Sequence, residues 1–360
     1  MTGARAFACV VVACGGWASS SCAPSGFQSE TLIASVRILA SSADRSYAKP
    51  GARVTARVLT FDGRASEAAP MTTQWLPFVC MNPPSDAYYA CFQQFAGSVA
   101  GVADGGANTA AKTLTACDTT MGGSAGLDGG LQEGVDLTRA LVSGDCVQFA
   151  MPNDAVSAHA TTPPPATPYG LAILFNIACA GHVELVARDP NNVQTPPIGC
   201  FDAQHNRLGA NDYVIGFTRI YAYDALQNAN PVIDHVDVDG RMADLSLGIP
   251  AQHCAAGGSC PSIHIGPVVP TSSQEENPEE HDVNGNPLRE QIWAQYFSTV
   301  GSFKSEARLL YDPTTGSLGA PSDTDNEFQP PDHAGDGTIW IVVHDNRGGV
   351  TWVTVPVHVS

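Results

Sequence analysis

The runs TIWIVV (338–343) and VTWVTVPVHV (350–359), joined by the loop HDNRGG (344–349), decide the fold of this chain. In the last run every second residue from Val353 to Val359 is valine, and the residues between them are threonine, proline and histidine. Such alternation is typical of a strand with one buried face. The Gly-Gly pair allows the positive φ angles that a tight hairpin loop needs. The stretch therefore predicts a C-terminal β-hairpin and an all-β fold around it.

Similar strand patterns occur in the first half of the chain. Residues 32–40 (LIASVRILA) and 53–61 (RVTARVLTF) are rich in β-forming residues, and a Lys-Pro-Gly turn at 49–51 separates them. Residues 73–79 (TQWLPFV) predict a third strand centred on Trp75, and 213–224 (YVIGFTRIYAYD) a long aromatic one. We expect the aromatic strand to close a first domain, and 228–233 (NANPVI) to form a linker and the first strand of a second.

This strand order resembles that of the immunoglobulin-like family. The similar features are strands A and B around the Lys-Pro-Gly turn, Trp75 on strand C, and Tyr169 as a corner tyrosine before strand F (YGLAIL, 169–174). The resemblance implies two immunoglobulin-like β-sandwich domains in tandem, at residues 31–227 and 228–360, and transfers no functional residue. EQIWAQYF (290–297) echoes Gln74-Trp75, which indicates a weak internal duplication.

The first domain departs from the family in its middle. A Gly/Ala-rich insertion of about residues 80–145 separates Trp75 from Tyr169, and the family's cysteine pair between the sheets is not in its usual places.

The N-terminus has the layout of a secretory signal. One positive charge in residues 1–5 precedes the apolar run AFACVVVA (6–13) and then small polar residues up to Cys22. The segment resembles a bacterial lipoprotein signal, so we expect a signal peptide at 1–22 and a tether at 23–30. The apolar run is shorter than the ~20 residues needed to span a bilayer. These features predict an exported protein held by lipid in the periplasm or at the outer membrane, in a Gram-negative bacterium.

Two cysteines compete for acylation. Cys14 has the better local motif, whereas Cys22 gives a signal of normal length and leaves eight cysteines in the mature chain, an even number that can pair completely. We therefore expect lipidation at Cys22, with Cys14 as the alternative. In an oxidising compartment the other cysteines are expected to form disulfides between sequence neighbours, because each pair brackets a turn-rich or Gly-rich loop. The expected pairs are Cys80 with Cys91, Cys117 with Cys146, Cys179 with Cys200, and Cys254 with Cys260.

The charge balance excludes one class of partner. The chain has 17 Lys+Arg against 35 Asp+Glu, a formal net charge of −18, which would repel nucleic-acid phosphates.

Two motifs suggest chemistry, but a loop and a disulfide account for them better. GGSAG (122–126) matches the serine-hydrolase pattern, yet neither an apolar strand precedes it nor a helix start follows it, so a flexible loop is expected. His253, Cys254, Cys260 and His264 have spacings that zinc could use. In an exported protein, a disulfide between the two cysteines is favoured.

Three acidic motifs, Asp237–Gly240, Asp282–Asn286 and Asp323–Asn326, have alternating oxygen ligands of the kind that calcium accepts. None continues into an EF-hand loop, so turns stabilised by Asp and Asn side chains are favoured. The acidic run between Glu275 and Asp282 is likewise expected to be a solvated loop.

Together these features predict a non-catalytic envelope lipoprotein that acts as a structural, adhesive or surface-recognition module. It would contact the membrane through its lipid and a protein or glycan through its surface, and we assign it no catalytic residue, metal ligand or cofactor. One alternative is an exported hydrolase or metal-dependent enzyme, with its site in the insertion or in the loop from Cys254 to His264. The other is a calcium- or glycan-binding β-module.

Overall fold

A computed structural model describes residues 30–65, 69–92, 114–117, 141–187, 192, 194–255, 260–314, 317–318 and 324–360. The strands up to residue 222 are β1 (Val36–Ala43), β2 (Tyr47–Ala48), β3 (Arg53–Asp62), β4 (Thr72–Trp75), β5 (Cys80–Met81), β6 (Thr115–Ala116), β7 (Val142–Ser143), β8 (Cys146–Ala150), β9 (Gly170–Cys179), β10 (His182–Leu185), β11 (Ile198–Phe201) and β12 (Tyr213–Ala222). The later strands are β13 (His235–Val238), β14 (Arg241–Met242), β15 (Ile249–Ala251), β16 (Ile263–Val268), β17 (Glu276–His281), β18 (Pro287–Arg289), β19 (Ile292–Ser298), β20 (Ser302–Phe303), β21 (Ala307–Asp312), β22 (Ser317–Leu318), β23 (Asn326–Gln329), β24 (Gly335–Asp345) and β25 (Val350–Val359). Short 3₁₀ turns span Pro84–Asp86, Tyr88–Ala90 and Thr271–Ser273.

The first sandwich has one sheet in the order β1-β3-β8-β6 and a second in the order β2-β12-β9-β4-β7, with β5 also paired to β9. Its core, between the sheets, includes the buried side chains of Val54, Trp75, Phe149 and Leu174. The N-terminal segment contributes one strand to each sheet: β1 pairs antiparallel with β3, and β2 pairs parallel with β12. This topology matches the predicted immunoglobulin-like sandwich.

The second sandwich repeats the arrangement. Its sheets run β14-β13-β16-β23-β20 and β15-β25-β24-β19-β21-β22. Again the first strands divide, since β13 pairs antiparallel with β16 and β15 pairs parallel with β25. Two ribbons, β10-β11 and β17-β18, lie outside the sandwich sheets. The all-β, immunoglobulin-like fold class is thus confirmed, while the exact domain limits at residue 227 stay a prediction.

The C-terminal hairpin is the centre of the second sandwich. Val355 and Val357 are fully buried and Val359 nearly so, which is the valine face expected from the sequence. Strand β24 is buried on both faces from Ile339 to Val343. Ile341 points into the core, while Trp340 and Val342 pack in small apolar clusters with Leu39, Ala40 and Leu59 of the first sandwich. An apolar junction therefore joins the two sandwiches.

Strand β9 is buried along its whole length. Its outer face, which includes Leu171, Ile173 and Phe175, packs against Phe92 and Leu141 from the predicted insertion and against the β10-β11 ribbon. The described part of the insertion therefore covers a second apolar sheet face.

The described residues contain four disulfides, and they are the four neighbouring pairs expected from the sequence: Cys80–Cys91, Cys117–Cys146, Cys179–Cys200 and Cys254–Cys260. Their Cα–Cα separations range from 5.2 to 5.8 Å, which is ordinary for the bond. Disulfides of this number indicate an oxidising compartment. Among the described residues, no helix is long and apolar enough to cross a membrane.

Three element predictions need correction. Residues 228–233 contain no strand, because Asn228 and Asn230 donate side-chain hydrogen bonds to Ser46 (2.8 Å) and to the carbonyl of Ala43 (2.7 Å) in the first sandwich. The strand expected at 73–79 ends at Trp75, two residues before Pro77, which lacks an N–H for the ladder.

The third correction concerns the echo between Trp75 and Trp293. Both lie on the strand next to the central one of their sheet, since β4 pairs with β9 and β19 pairs with β24. Trp75 is fully buried in the core, whereas Trp293 stacks on His344 and the core positions on either side of it are Ile292 and Ala294. The two tryptophans therefore lie on equivalent strands of the two sandwiches, but they point to opposite faces of their sheets.

Candidate functional site

A groove of about 780 Å³ lies where the edge of the first sandwich meets the β24–β25 loop of the second. Strands β1 and β12 form one side of it, and residues 344–348 form the other. The side chains that line it include six aromatic rings and two arginines: Tyr47, Tyr169, Phe217, Tyr221, Tyr223, Trp293, Arg219 and Arg347. No sequence pattern predicted this site, because its residues come from segments that are distant along the chain.

A tyrosine cluster, made of Tyr47, Tyr169, Tyr221 and Tyr223, forms one end of the groove. The parallel pairing of β2 with β12 sets Tyr47 directly opposite Tyr221. The ring centroids are 4.7 Å apart for Tyr47 and Tyr223, and 5.6 Å apart for Tyr169 and Tyr221. Burial raises the pKa of all four phenols above the usual value. The hydroxyls therefore stay protonated at neutral pH.

Tyr169, the expected corner tyrosine, lies immediately before β9 and is fixed by two polar side chains. Its hydroxyl donates to Asp86, and the two ring nitrogens of His159 lie 2.8 Å from the Tyr169 carbonyl and 3.0 Å from Asp86 Oδ1. In the family such a hydroxyl bonds to the backbone a few residues upstream. Here the insertion supplies Asp86 instead, so the insertion helps to position the cluster.

Arg347 holds the other wall of the groove in place. Its Nη1 donates to Glu290 Oε1 at 2.8 Å and to the Glu276 carbonyl at 3.2 Å, and its Nη2 donates to the Gln227 carbonyl. The guanidinium carbon lies 4.8 Å from the centre of the Tyr47 ring, within cation–π range. An arginine in the predicted hairpin loop thus contacts both sandwiches.

The loop that carries Arg347 is rigid because Asp345 accepts backbone hydrogen bonds within it. Asp345 Oδ1 lies 2.8 Å from the N–H groups of both Arg347 and Gly349. The neighbouring Glu290 is fully buried, and its burial together with the carboxylate of Asp345 raises the pKa of Glu290 to about 8 despite the contact with Arg347.

One strand edge in the groove lacks a partner in the described part of the chain. Strand β2 covers β12 only at Tyr221 and Ala222. The N–H of Tyr221 donates to Ser46 on that side, so the N–H and C=O groups of Ile215, Phe217 and Arg219, at alternate positions, point the same way. Phe217 is 37% exposed beside this edge, and Arg219 lies over its ring.

A buried amide lies on the floor of the groove. Asn176 has no exposed surface, and neither its Oδ1 nor its Nδ2 has a hydrogen-bond partner among the residues that the structure describes. A Cβ at Gly216 would come within 2.7 Å of Asn176 Oδ1, so glycine at this position leaves room for the amide. Buried polar groups are normally paired, so this amide is an exception, and its full burial keeps it out of contact with a ligand in the groove.

The sequence-predicted zinc candidates do not come together as a site. Cys254 and Cys260 are oxidised to a disulfide, so neither offers a thiolate. The ring of His253 bonds to the carbonyl of Ser360, and His264 pairs with Asp325 at 3.1 Å.

The described calcium candidates have the geometry of turns. Asp239 and Gly240 both have positive φ, 51° and 73°, and form the two-residue hairpin between β13 and β14. The carboxylate of Asp282 accepts the N–H groups of Asn284 and Asn286 at 2.8 and 2.9 Å. In the acidic run Glu276, Glu279 and Glu280 are exposed as expected, but they lie on strand β17 rather than in a loop, because this segment pairs with β18. Asp323, the GGSAG motif with Ser124, and both lipidation candidates, Cys22 and Cys14, lie outside the described residues.

One group of metal-ligating side chains was missed. Among the described residues, His182, Glu184 and His205 are the three whose ligand atoms lie close enough to share an ion. The only signal for this group in the sequence was the two-residue spacing of His182 and Glu184 along one strand. None of the three residues lines the groove.

No family model and no curated protein matches this chain. Among solved structures, it is similar to the D00-D0 domain of intimin, with 7% identity over 90% of this chain and 98% of that one and a TM-score of 0.19. Murine CEACAM1b matches with 10% identity over 90% and 100% of the two chains and a TM-score of 0.18. The C-terminal domain of the Streptococcus pyogenes antigen I/II-family protein AspA matches with 10% identity over 91% and 99% and a TM-score of 0.17. Overlaps this weak carry no argument about function.

Proposed function

We propose that this chain is a non-catalytic recognition module of the cell envelope that binds an extended segment of another protein in the aromatic groove. The observation that carries the proposal is the unpartnered edge of β12 beside a cluster of aromatic and arginine side chains. A strand edge supplies main-chain affinity and the side chains around it supply specificity, which is how sheets bind peptides by strand addition.

The composition of the groove favours a protein partner. Tyrosine, tryptophan and arginine are the residues that contribute most to protein–protein binding energy when they cluster near the centre of an interface. Tyrosine offers a large contact area with few rotatable bonds, so little conformational entropy is lost on binding. Arg219 is exposed in the groove and would attract an acidic side chain of the bound segment.

The groove is also held in its binding shape before a ligand arrives. Trp340 and Val342 pack against the first sandwich, and Arg347 links Tyr47, Glu290 and the Gln227 carbonyl. A site that does not need to be ordered on binding retains more of its interaction energy as affinity.

The envelope location rests on the oxidising compartment that the disulfides indicate and on the lipoprotein-like N-terminus. In this proposal Cys22 is acylated and residues 23–30 tether the sandwiches to a membrane, so that the groove faces partners near the bacterial surface.

Random peptides displayed on phage test the binding mode. A selected peptide should lose at least tenfold in affinity for Phe217→Ala, about 1.4 kcal/mol, because the exposed ring beside the edge is removed. Leu309→Ala is the matched control, since Leu309 is an exposed apolar strand residue that does not line the groove. Its affinity should not change.

The peptide itself supplies the sharper readout. If it adds as a strand, methylation of its backbone nitrogens should abolish binding at every second position and be tolerated between them, because alternate amides face β12. Selection of no groove-dependent peptide, or methylation effects without alternation, would overturn the proposed function.

A further inference from the structure

The β10-β11 ribbon carries a compact group of metal-type ligands. His182 and Glu184 are two residues apart on β10, so their side chains share one face of the strand. His205 lies in the turn that follows β11. Glu184 Oε1 is 2.6 Å from His182 Nε2 and 2.5 Å from His205 Nδ1, and the three ligand atoms all lie within 4.8 Å of one another.

The carboxylate of this group is nearly buried. The side chain of Glu184 is 5% exposed, and the ion-pair partners it has in the described part of the chain are the two imidazoles. A buried carboxylate is costly unless positive charge or full hydrogen bonding compensates it. A divalent cation between the three side chains would supply that charge.

The two histidines are held in position by different parts of the ribbon. The Cys179–Cys200 disulfide joins the end of β9 to β11 beside the group. His205 has a left-handed backbone, φ 60°, and its N–H donates to the Asp202 carbonyl at 3.0 Å. The imidazoles therefore converge on Glu184 without a rearrangement of the ribbon.

We propose that His182, Glu184 and His205 form a binding site for a divalent transition-metal ion, and that zinc is its ion. Zinc takes histidine nitrogen and carboxylate oxygen at about 2.0–2.2 Å, and two imidazoles disfavour calcium and magnesium, which prefer oxygen ligands. Three protein ligands leave a coordination position open. Since the His205 side chain is 69% exposed, water or a ligand from another molecule can reach that position.

A bound ion would stabilise the cover of the first sandwich. Val183, Leu185 and Ile198 of the ribbon pack in the same apolar cluster as Phe175 of β9. The ion would join β10 to the turn after β11, so its binding free energy would add to the stability of this ribbon.

Zinc alone, titrated into the full chain with its disulfides intact, tests the site by calorimetry and by thermal unfolding. We expect one zinc per chain and a rise in the unfolding temperature that a chelator reverses, whereas calcium should give neither. His205→Ala should weaken zinc binding at least tenfold, and because this side chain is exposed the variant should fold as the wild type does.

His235→Ala is the matched control. His235 also lies between two carboxylates, with Asp234 at 2.8 Å and Asp237 at 3.2 Å, but the three do not form a close ligand group. The zinc affinity of the His235→Ala variant should equal that of the wild type. Absence of stoichiometric zinc, an affinity that His205→Ala leaves unchanged, or a loss in His235→Ala instead would overturn the site, and none of these results bears on the groove.

Discussion

Glu290 is a buried ionisable residue that contacts Arg347 behind the groove wall. It is fully buried against Arg347, and its pKa is raised to about 8 because burial and the Asp345 carboxylate disfavour its charge. In the unfolded chain its pKa is near the ordinary value of about 4.3. Between these two values the folded state holds a proton that the unfolded state has released, so the stability must fall as pH rises.

Glu290→Gln should remove this pH dependence. Between pH 6.8 and 8.5 the wild type should lose stability in urea, and the variant should lose less. This window also excludes His344, whose pKa burial lowers to about 4 and which is therefore neutral throughout. Equal losses in the two proteins would show that Glu290 is already ionised at neutral pH.

Residue-level predictions from sequence were accurate where the relevant contact is local. Each disulfide closes a loop between neighbouring cysteines, so a pair such as Cys179 and Cys200 could be predicted from the turn-rich segment that it brackets. His205 meets Glu184, and Arg347 meets Tyr47, only because strands from separate segments pack together. No spacing in the sequence reports such contacts, and both the groove and the metal ligands were missed for this reason.

At the scale of elements, the β24–β25 hairpin supplies much of the apolar core of the second sandwich. Val355 lies fully buried between the sheets, whereas Thr354, on the other face of the same strand, is exposed. The alternation in the sequence predicted this division, because a strand with one buried face needs it.

Val355→Asp should destabilise the chain by at least about 3 kcal/mol, because it places an unpaired charge in the core. Thr354→Asp is the control and should change the stability by about 0.5 kcal/mol or less. Chemical unfolding followed by tryptophan fluorescence measures both. A Val355→Asp variant with wild-type stability would mean that this face is solvated.

The strands predicted least well are those whose limits depend on other segments. The segment 228–233 has apolar residues but is drawn away from a sheet by the bonds of Asn228 and Asn230 to the first sandwich. Likewise, all of β9 is buried because the insertion and the ribbon cover its outer face, which its own sequence could not show.

At the scale of the whole molecule, the proposed anchor determines where the groove acts. Cys22→Ser should release the protein from the membrane fraction into the soluble fraction, because the proposed lipid attachment would be lost. Cys14→Ser should leave the fractionation unchanged. If Cys14→Ser releases the protein instead, Cys14 is the acylated residue and the signal is shorter than proposed.

The packing of the two sandwiches makes the groove a property of the whole chain. Its walls are β1 and β12 on one side and the β24–β25 loop on the other, and they are held together by the apolar junction around Trp340. A ligand in the groove therefore contacts both sandwiches, and neither alone contains the complete site.

Residue-resolved amide hydrogen exchange, with and without a peptide selected on the full chain, tests strand addition at β12 most directly. We predict that the amides of Ile215, Phe217 and Arg219 exchange freely without the peptide and become protected when it binds. The amides of Gly216 and Thr218, which bond to β9, should be protected in both states. Unchanged exchange at the three outward amides in the bound state would contradict strand addition at this edge.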